Sequence, residues 1–67
     1  MKDNIIGFAI FRLRTENNMH QKKLGEILGF NQNTISDWER GRTEPSLDVV
    51  KELSKIFDVS YEELLEG

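Results

Sequence analysis

Apolar residues along this chain recur at spacings of three and four, and nowhere alternate with polar ones for long. Ile6, Ile10 and Leu13 share one face of a helix. Asp3 or Asn4 is placed to cap that helix, and the polar run Thr15-Glu16-Asn17-Asn18 to end it. A second helix is expected from about Gln21 to Leu28, with Leu24, Ile27 and Leu28 inward and Gly29 just past its end. A third starts near Gln32, with Asn31 as N-cap, Ile35 and Trp38 on the buried face and Gly41 as its stop. Gly41-Arg42-Thr43-Glu44-Pro45 reads as a loop. Ser46 caps a fourth helix with Val50, Leu53 and Phe57 as its apolar stripe. Ser60-Tyr61-Glu62-Glu63 has the spacing of a capping box, in which the Ser60 hydroxyl accepts from the Glu63 amide and Glu63 reaches back. That box starts a short fifth helix carrying Leu64 and Leu65. With no hairpin dipeptide between apolar runs, strands are not expected. The pattern predicts an all-α fold, five short helices in one compact domain over residues 1–67.

The middle of the chain is more specific than periodicity alone. A small residue, Gly25, sits where a second helix can cross the first closely, and four residues later Gly29 tolerates the left-handed backbone of a sharp turn. Leu24, Leu28, Phe30, Ile35 and Trp38 then fall where apolar side chains hold the angle between two helices. Together these are the spacings of a helix-turn-helix over about 21–40.

Length and composition narrow the picture. Sixty-seven residues are close to the lower limit for a self-sufficient core. Without cysteine there is no disulfide or thiolate-metal staple. At 37% hydrophobic residues, stability must come from tight helix packing or from a dimer interface. The longest apolar run is too short to cross a bilayer and no signal peptide opens the chain, so a cytoplasmic protein without a membrane partner is expected. The net charge of −3 argues at face value against a polyanion, but its distribution does not. Residues 1–43 hold seven Lys/Arg (Lys2, Arg12, Arg14, Lys22, Lys23, Arg40, Arg42) against five acids, a local +2, whereas residues 44–67 hold two against seven, a local −5. A nucleic acid should meet the first two thirds of the chain, unless the charges are simply scattered.

The segments Ile10-Phe11-Arg12-Leu13-Arg14, Gln21-Lys22-Lys23-Leu24-Gly25, Thr34-Ile35-Ser36-Asp37-Trp38-Glu39-Arg40-Gly41, Pro45-Ser46-Leu47 and Val59-Ser60-Tyr61-Glu62-Glu63-Leu64-Leu65 carry a family resemblance. From Ile6 to Leu65 the chain resembles the lambda-repressor-like, or XRE-type, helix-turn-helix family of phage repressors and small bacterial regulators. The resemblance implies that the third helix enters the DNA major groove. It also implies that the Gln21 side chain clamps a phosphate, and that Arg14 and Glu39 form a partly buried ion pair tying the first helix to the end of the third.

The residues themselves agree with a reading helix. With Ile35 and Trp38 inward, Gln32, Asn33, Ser36 and Asp37 project from the other side near the helix N-terminus. Gln and Asn each bond adenine through N6 and N7, worth roughly 1–3 kcal/mol of discrimination per good pair. Arg42, Lys22 and Arg40 are phosphate candidates by charge, and Asn31 and Thr34 by their place at a helix N-terminus, whose free amides suit an anion.

Four positions depart from the family pattern. Asp37 stands where a basic or amide side chain is common; it either accepts from a cytosine N4 amine or points past the DNA. His20 replaces the usual Ser or Thr cap of the second helix, and with no companion Cys or His a metal role is not expected. Phe8 and Phe11 fall opposite Ile6, Ile10 and Leu13, so either the fifth helix covers them or they form a dimer or partner surface.

Three classes of function follow. The first is a sequence-specific regulator of transcription, a repressor acting as a homodimer on a near-palindromic operator in double-stranded DNA, in a bacterial or phage setting and nucleoid-associated when bound. The second is an antitoxin-like or regulatory protein-interaction module, supported by the acidic tail and by Phe8 and Phe11. An enzyme is not expected: the single His has no nucleophile or metal partner, no glycine loop cradles phosphate, and no cofactor is called for. The ending Leu64-Leu65-Glu66-Gly67 suits a stand-alone regulator and a domain of a longer repressor alike.

Overall fold

Each expected helix forms, and its ends lie where the chain supplies or withholds a cap. The computed structural model describes residues 5–66 and contains α1 (Ile5–Glu16), α2 (Gln21–Leu28), α3 (Gln32–Arg40), α4 (Leu47–Phe57) and α5 (Tyr61–Glu66). No strand occurs among the described residues. The caps expected for α1, Asp3 and Asn4, lie outside them. Helix α1 runs out in the expected polar stretch, where Asn18 turns left-handed at φ 54° and the Met19 amide bonds the Arg14 carbonyl at 2.9 Å. Asn31 Oδ1 accepts from the Thr34 amide at 2.9 Å, Ser46 Oγ from Val49 at 3.3 Å and Ser60 Oγ from Glu63 at 3.0 Å, each meeting an amide that a helix start leaves unpaired. His20 at the start of α2 makes no such side-chain bond.

Helix α3 packs on α1 and α2, and α5 packs on α1 and α4, so α1 lies between the two pairs at the middle of the bundle. The core comprises Ala9, Ile10, Leu13, Leu24, Ile35, Trp38, Val49, Val50, Leu53 and Leu64, with Ile6, Leu28 and Phe57 partly buried at its edge.

One expectation needs correcting, and one open alternative is decided. Ile27 is 47% exposed. The buried face of α2 is centred on Leu24 and Gly25, and at about 100° per residue Ile27 lies on the far side of Leu24 from Gly25. The fifth helix does not cover the phenylalanines. It packs on α1 but leaves Phe8 63% and Phe11 48% exposed, because the face of α1 that meets its neighbours carries Gly7, Ala9, Ile10 and Leu13. Phe30 holds its expected place in a different manner: it is 40% exposed, yet its ring meets Trp38 edge-on at 5.1 Å between centroids.

The α2–α3 crossing depends on two glycines in different ways. A Cβ built on Gly25 would lie 2.5 Å from the Phe30 carbonyl oxygen, a backbone atom with little freedom to retreat. Gly29 has open space around it but a φ of 85°. We therefore predict that Gly25→Ala lowers stability by about 3 kcal/mol, at the upper end of overpacking costs, and Gly29→Ala by about 1–2 kcal/mol from the left-handed backbone alone. Urea unfolding of the two variants checks the order, and equal losses would contradict the close-approach argument. A second prediction concerns the uncapped start of α2: His20→Ser should raise stability by about 1 kcal/mol, read as a higher urea midpoint at unchanged slope.

Candidate nucleic-acid interface

Helix α3 is amphipathic around a narrow apolar strip. Ile35 and Trp38 are buried, Asn33 and Arg40 are exposed on the opposite side, and Ser36 and Asp37 are half-buried at its margins. Gln32 is exposed but sits about 60° round from Ile35 on the side of Glu39, so it faces α2 more than the outermost ridge. The four candidate base-reading side chains thus cover a wide arc. Asn33 and Asp37 lie one turn apart on the ridge, with Ser36 beside them and Gln32 at the flank.

What holds this helix at its angle is a buried polar network. Arg14 Nε donates to Glu39 Oε2 at 2.6 Å and its Nη2 to Oε1 at 3.1 Å, a two-pronged contact that suits the planar guanidinium. The two side chains keep only 10% and 7% of their exposure. Arg14 Nη1 donates to the Met19 carbonyl at 2.9 Å, which ties the same cation to the α1–α2 turn. Gln21 Nε2 donates to Glu39 Oε1 at 2.9 Å. One carboxylate at the end of α3 therefore gathers α1 and the first residue of α2. The expected Arg14–Glu39 pair is present, and Gln21, expected to clamp a phosphate, is part of it.

Beside the network a groove of about 640 Å³ opens between the N-terminal turn of α2 and that of α3, lined by Arg14, His20, Gln21, Lys22, Lys23, Glu26 and Gln32. Four of its side chains are amide or cationic members of the expected contact set or its ion pair. His20 and Lys23 join them without having been singled out as contacts. For Lys23 the available signal was its position in the first turn of α2, next to Lys22. At the other end of α3, Arg40 is exposed in the last turn, and Arg42 lies past the left-handed Gly41. Arg42 Nη1 stands 3.8 Å from Asp37 Oδ1, and the Arg42 amide bonds the Asp37 carbonyl at 2.9 Å. Asn31 and Thr34 spend polar atoms on each other: besides the cap, Thr34 Oγ1 donates to Asn31 Oδ1 at 3.1 Å. On α1, Phe11 has the Arg14 guanidinium 5.5 Å from its ring centroid.

The described residues contain no cluster of three or more His, Asp or Glu side chains placed to hold a metal ion, and no helix long and apolar enough to cross a membrane.

Comparison with known proteins points the same way. A helix-turn-helix family model matches residues 10–64. Repressor protein C2 of Salmonella phage P22 is 34% identical over 67 residues, all of this chain and 31% of that protein. The HTH-type transcriptional activator BcrR of Enterococcus faecalis is 41% identical over 56 residues, 84% of this chain and 28% of its own length. The chain spans less than a third of those two relatives. An uncharacterised HTH-type transcriptional regulator, y4dJ of Sinorhizobium fredii, is nearer in size: 34% identity over 61 residues covers 91% of this chain and 79% of that one. Among solved structures, the P22 c2 repressor in complex with a synthetic operator superposes with a TM-score of 0.82 at 35% identity, over 92% of this chain and 94% of that one.

The buried network yields a third prediction. Glu39→Leu removes the carboxylate from the buried Arg14 cation and leaves it the Met19 carbonyl and the Phe11 ring, and Arg14→Met removes the cation paired with the buried Glu39. Each substitution should lower stability by about 3 kcal/mol or more, while the double variant should lose far less than the sum. Unfolding midpoints of the four proteins form the cycle. Additive losses would mean that the pair acts as two separate surface charges.

Proposed function

This chain belongs to the lambda-repressor-like helix-turn-helix family, and on that premise we propose that it is a sequence-specific regulator of transcription that binds double-stranded DNA as a homodimer. The observation that carries the reading is the placement of a polar, amide-bearing ridge on α3 directly beside a cation-lined groove at the start of α2. Such a surface combines the two things that recognition of a duplex needs, contacts to base edges and contacts to the phosphate chain.

In this reading α3 enters the major groove. Asn33 and Gln32 present amides suited to adenine, Ser36 donates or accepts, and Asp37 is an acceptor for a cytosine N4 amine. Lys22, Arg40 and Arg42 supply charge to the phosphates, Gln21 reaches one from the start of α2, and Asn31 and Thr34 frame the amides at the start of α3. The Arg14–Glu39 pair sets the tilt of the reading helix, and Gln21, bonded to Glu39, links that pair to the phosphate contact. One module of this size buries little DNA surface, and two copies on a near-palindromic operator supply the missing affinity. Repression is the favoured outcome, by occupying an operator in a bacterial or phage promoter; the curated relatives include an activator as well as a repressor. No cofactor or metal has a part in this mechanism, and the site of action is the cytoplasm.

The exposure of Phe8 and Phe11 favours a second reading, in which the scaffold serves as an antitoxin-like or regulatory module and that surface holds a protein partner or the second subunit.

Selection from a pool of random duplexes separates the two. A DNA reader should enrich a two-fold-symmetric site, and Gln32→Ala combined with Asn33→Ala should cost at least tenfold in affinity for it, with little change on unselected DNA. Absence of any enriched site, with weak binding that disappears in moderate salt, would sink this reading in favour of the protein-interaction module.

A further inference from the structure

We infer that Asp37 and Arg42 work as one coupled unit, in which Asp37 withholds the Arg42 charge from DNA until the carboxylate finds a base partner of its own. The inference deepens the proposed function and rests on its placement of α3 in the major groove.

The geometry joins the two residues twice. The Arg42 amide donates to the Asp37 carbonyl at 2.9 Å, which fixes the turn after α3 through the left-handed Gly41. The side chains then face each other with Nη1 and Oδ1 3.8 Å apart, beyond hydrogen-bond length but within charge pairing, and both are substantially solvent-exposed. An exposed pair of this kind is weak on its own, so a phosphate oxygen competes with Asp37 for Arg42. Displacement has a consequence, because it leaves an unpaired carboxylate in a groove lined by polyanion. A cytosine N4 or an adenine N6 amine resolves this by donating to Asp37; guanine and thymine offer no amine donor in the major groove. Arg42 is thus free to neutralise a phosphate where Asp37 is satisfied, and remains tied where it is not.

The charge distribution makes the coupling matter. Among the described cations of the basic part of the chain, Arg14 is committed to Glu39, and Arg12 lies 3.4 Å from Glu16 on its own helix. Arg42 is therefore a large share of the remaining positive charge near α3, together with Lys22, Lys23 and Arg40. Switching it off on unmatched DNA suppresses the sequence-independent part of binding, which is set by the number of phosphates neutralised.

The test is a cycle of Asp37→Asn and Arg42→Gln on the intact chain. It uses the duplex enriched by selection and an unselected duplex of equal length, with affinity followed against salt. Neither side chain is buried, and thermal melts of the variants check that the fold is retained. On the unselected duplex, Asp37→Asn should raise affinity three- to tenfold and steepen the slope of log K against log salt by about one per protomer. Arg42→Gln should leave that slope nearly unchanged in the wild-type background but remove about one in the Asp37→Asn background. On the selected duplex Arg42→Gln should remove about one in either background. The inference is overturned if Arg42→Gln costs the same slope on both duplexes with Asp37 present, or if Asp37→Asn raises affinity with no change in slope, which is plain repulsion. Failure of the parent reading looks different: no duplex is enriched at all, and the cycle on unselected DNA still reports whether the two side chains are coupled.

Discussion

The close approach of the turn after α2, at Phe30, to Gly25 is the constraint on which the rest of this domain depends. The Phe30 carbonyl occupies the space that any side chain at position 25 would need, and the Gly25 carbonyl accepts the amides of both Gly29 and Phe30 at 2.8 Å. Helix end, turn and crossing are therefore one structure. Trp38 and Ile35 reach the core only because α3 leaves the turn at this angle, and Phe30 closes the crossing with its ring edge against Trp38. A small domain has few apolar contacts to hold an interhelical angle, so a backbone-to-backbone contact carries much of that task.

The Arg14–Glu39–Gln21 network sets the second coordinate, the tilt of α3 about the crossing. Burying a charge pair contributes little net stability, whereas its geometry is directional in a way that apolar packing is not. The Glu39 carboxylate is held from α1 by a two-pronged guanidinium and from α2 by an amide, so the far end of α3 is positioned relative to both neighbours. The groove at the start of α2 is a by-product of the same arrangement: the elements that orient α3 also place Lys22, Lys23 and Gln32 around one opening. The groove and the structural network share Arg14 and Gln21, so a change in one is felt by the other.

Much of this was legible in the chain. Apolar spacing located the first four helices, because each buries a stripe against its neighbours and the period of a helix shows in any such stripe, and the capping box at Ser60 located the fifth. Caps at Asn31, Ser46 and Ser60 were legible because the hydrogen bond that makes them is local, spanning three residues. The misplacement of Ile27 has the opposite origin. Leu24, Ile27 and Leu28 fit one stripe by spacing, and only the close contact at Gly25 shows that the buried face turns away from Ile27.

Local order, then, belongs to the sequence by itself: helix positions, caps, the two glycines of the turn and the polar ridge of α3 are all short-range patterns. The tertiary structure alone decided what depends on distant residues meeting in space. It left Phe8 and Phe11 uncovered although α5 packs on the same helix, and it drew Gln21 into the Arg14–Glu39 pair. It also set Arg42 against Asp37 across the end of α3. The physical reason is common to all of these. Periodicity records which residues avoid water, while the partner of a charge or the cover of an exposed ring is fixed by the angles at which helices cross.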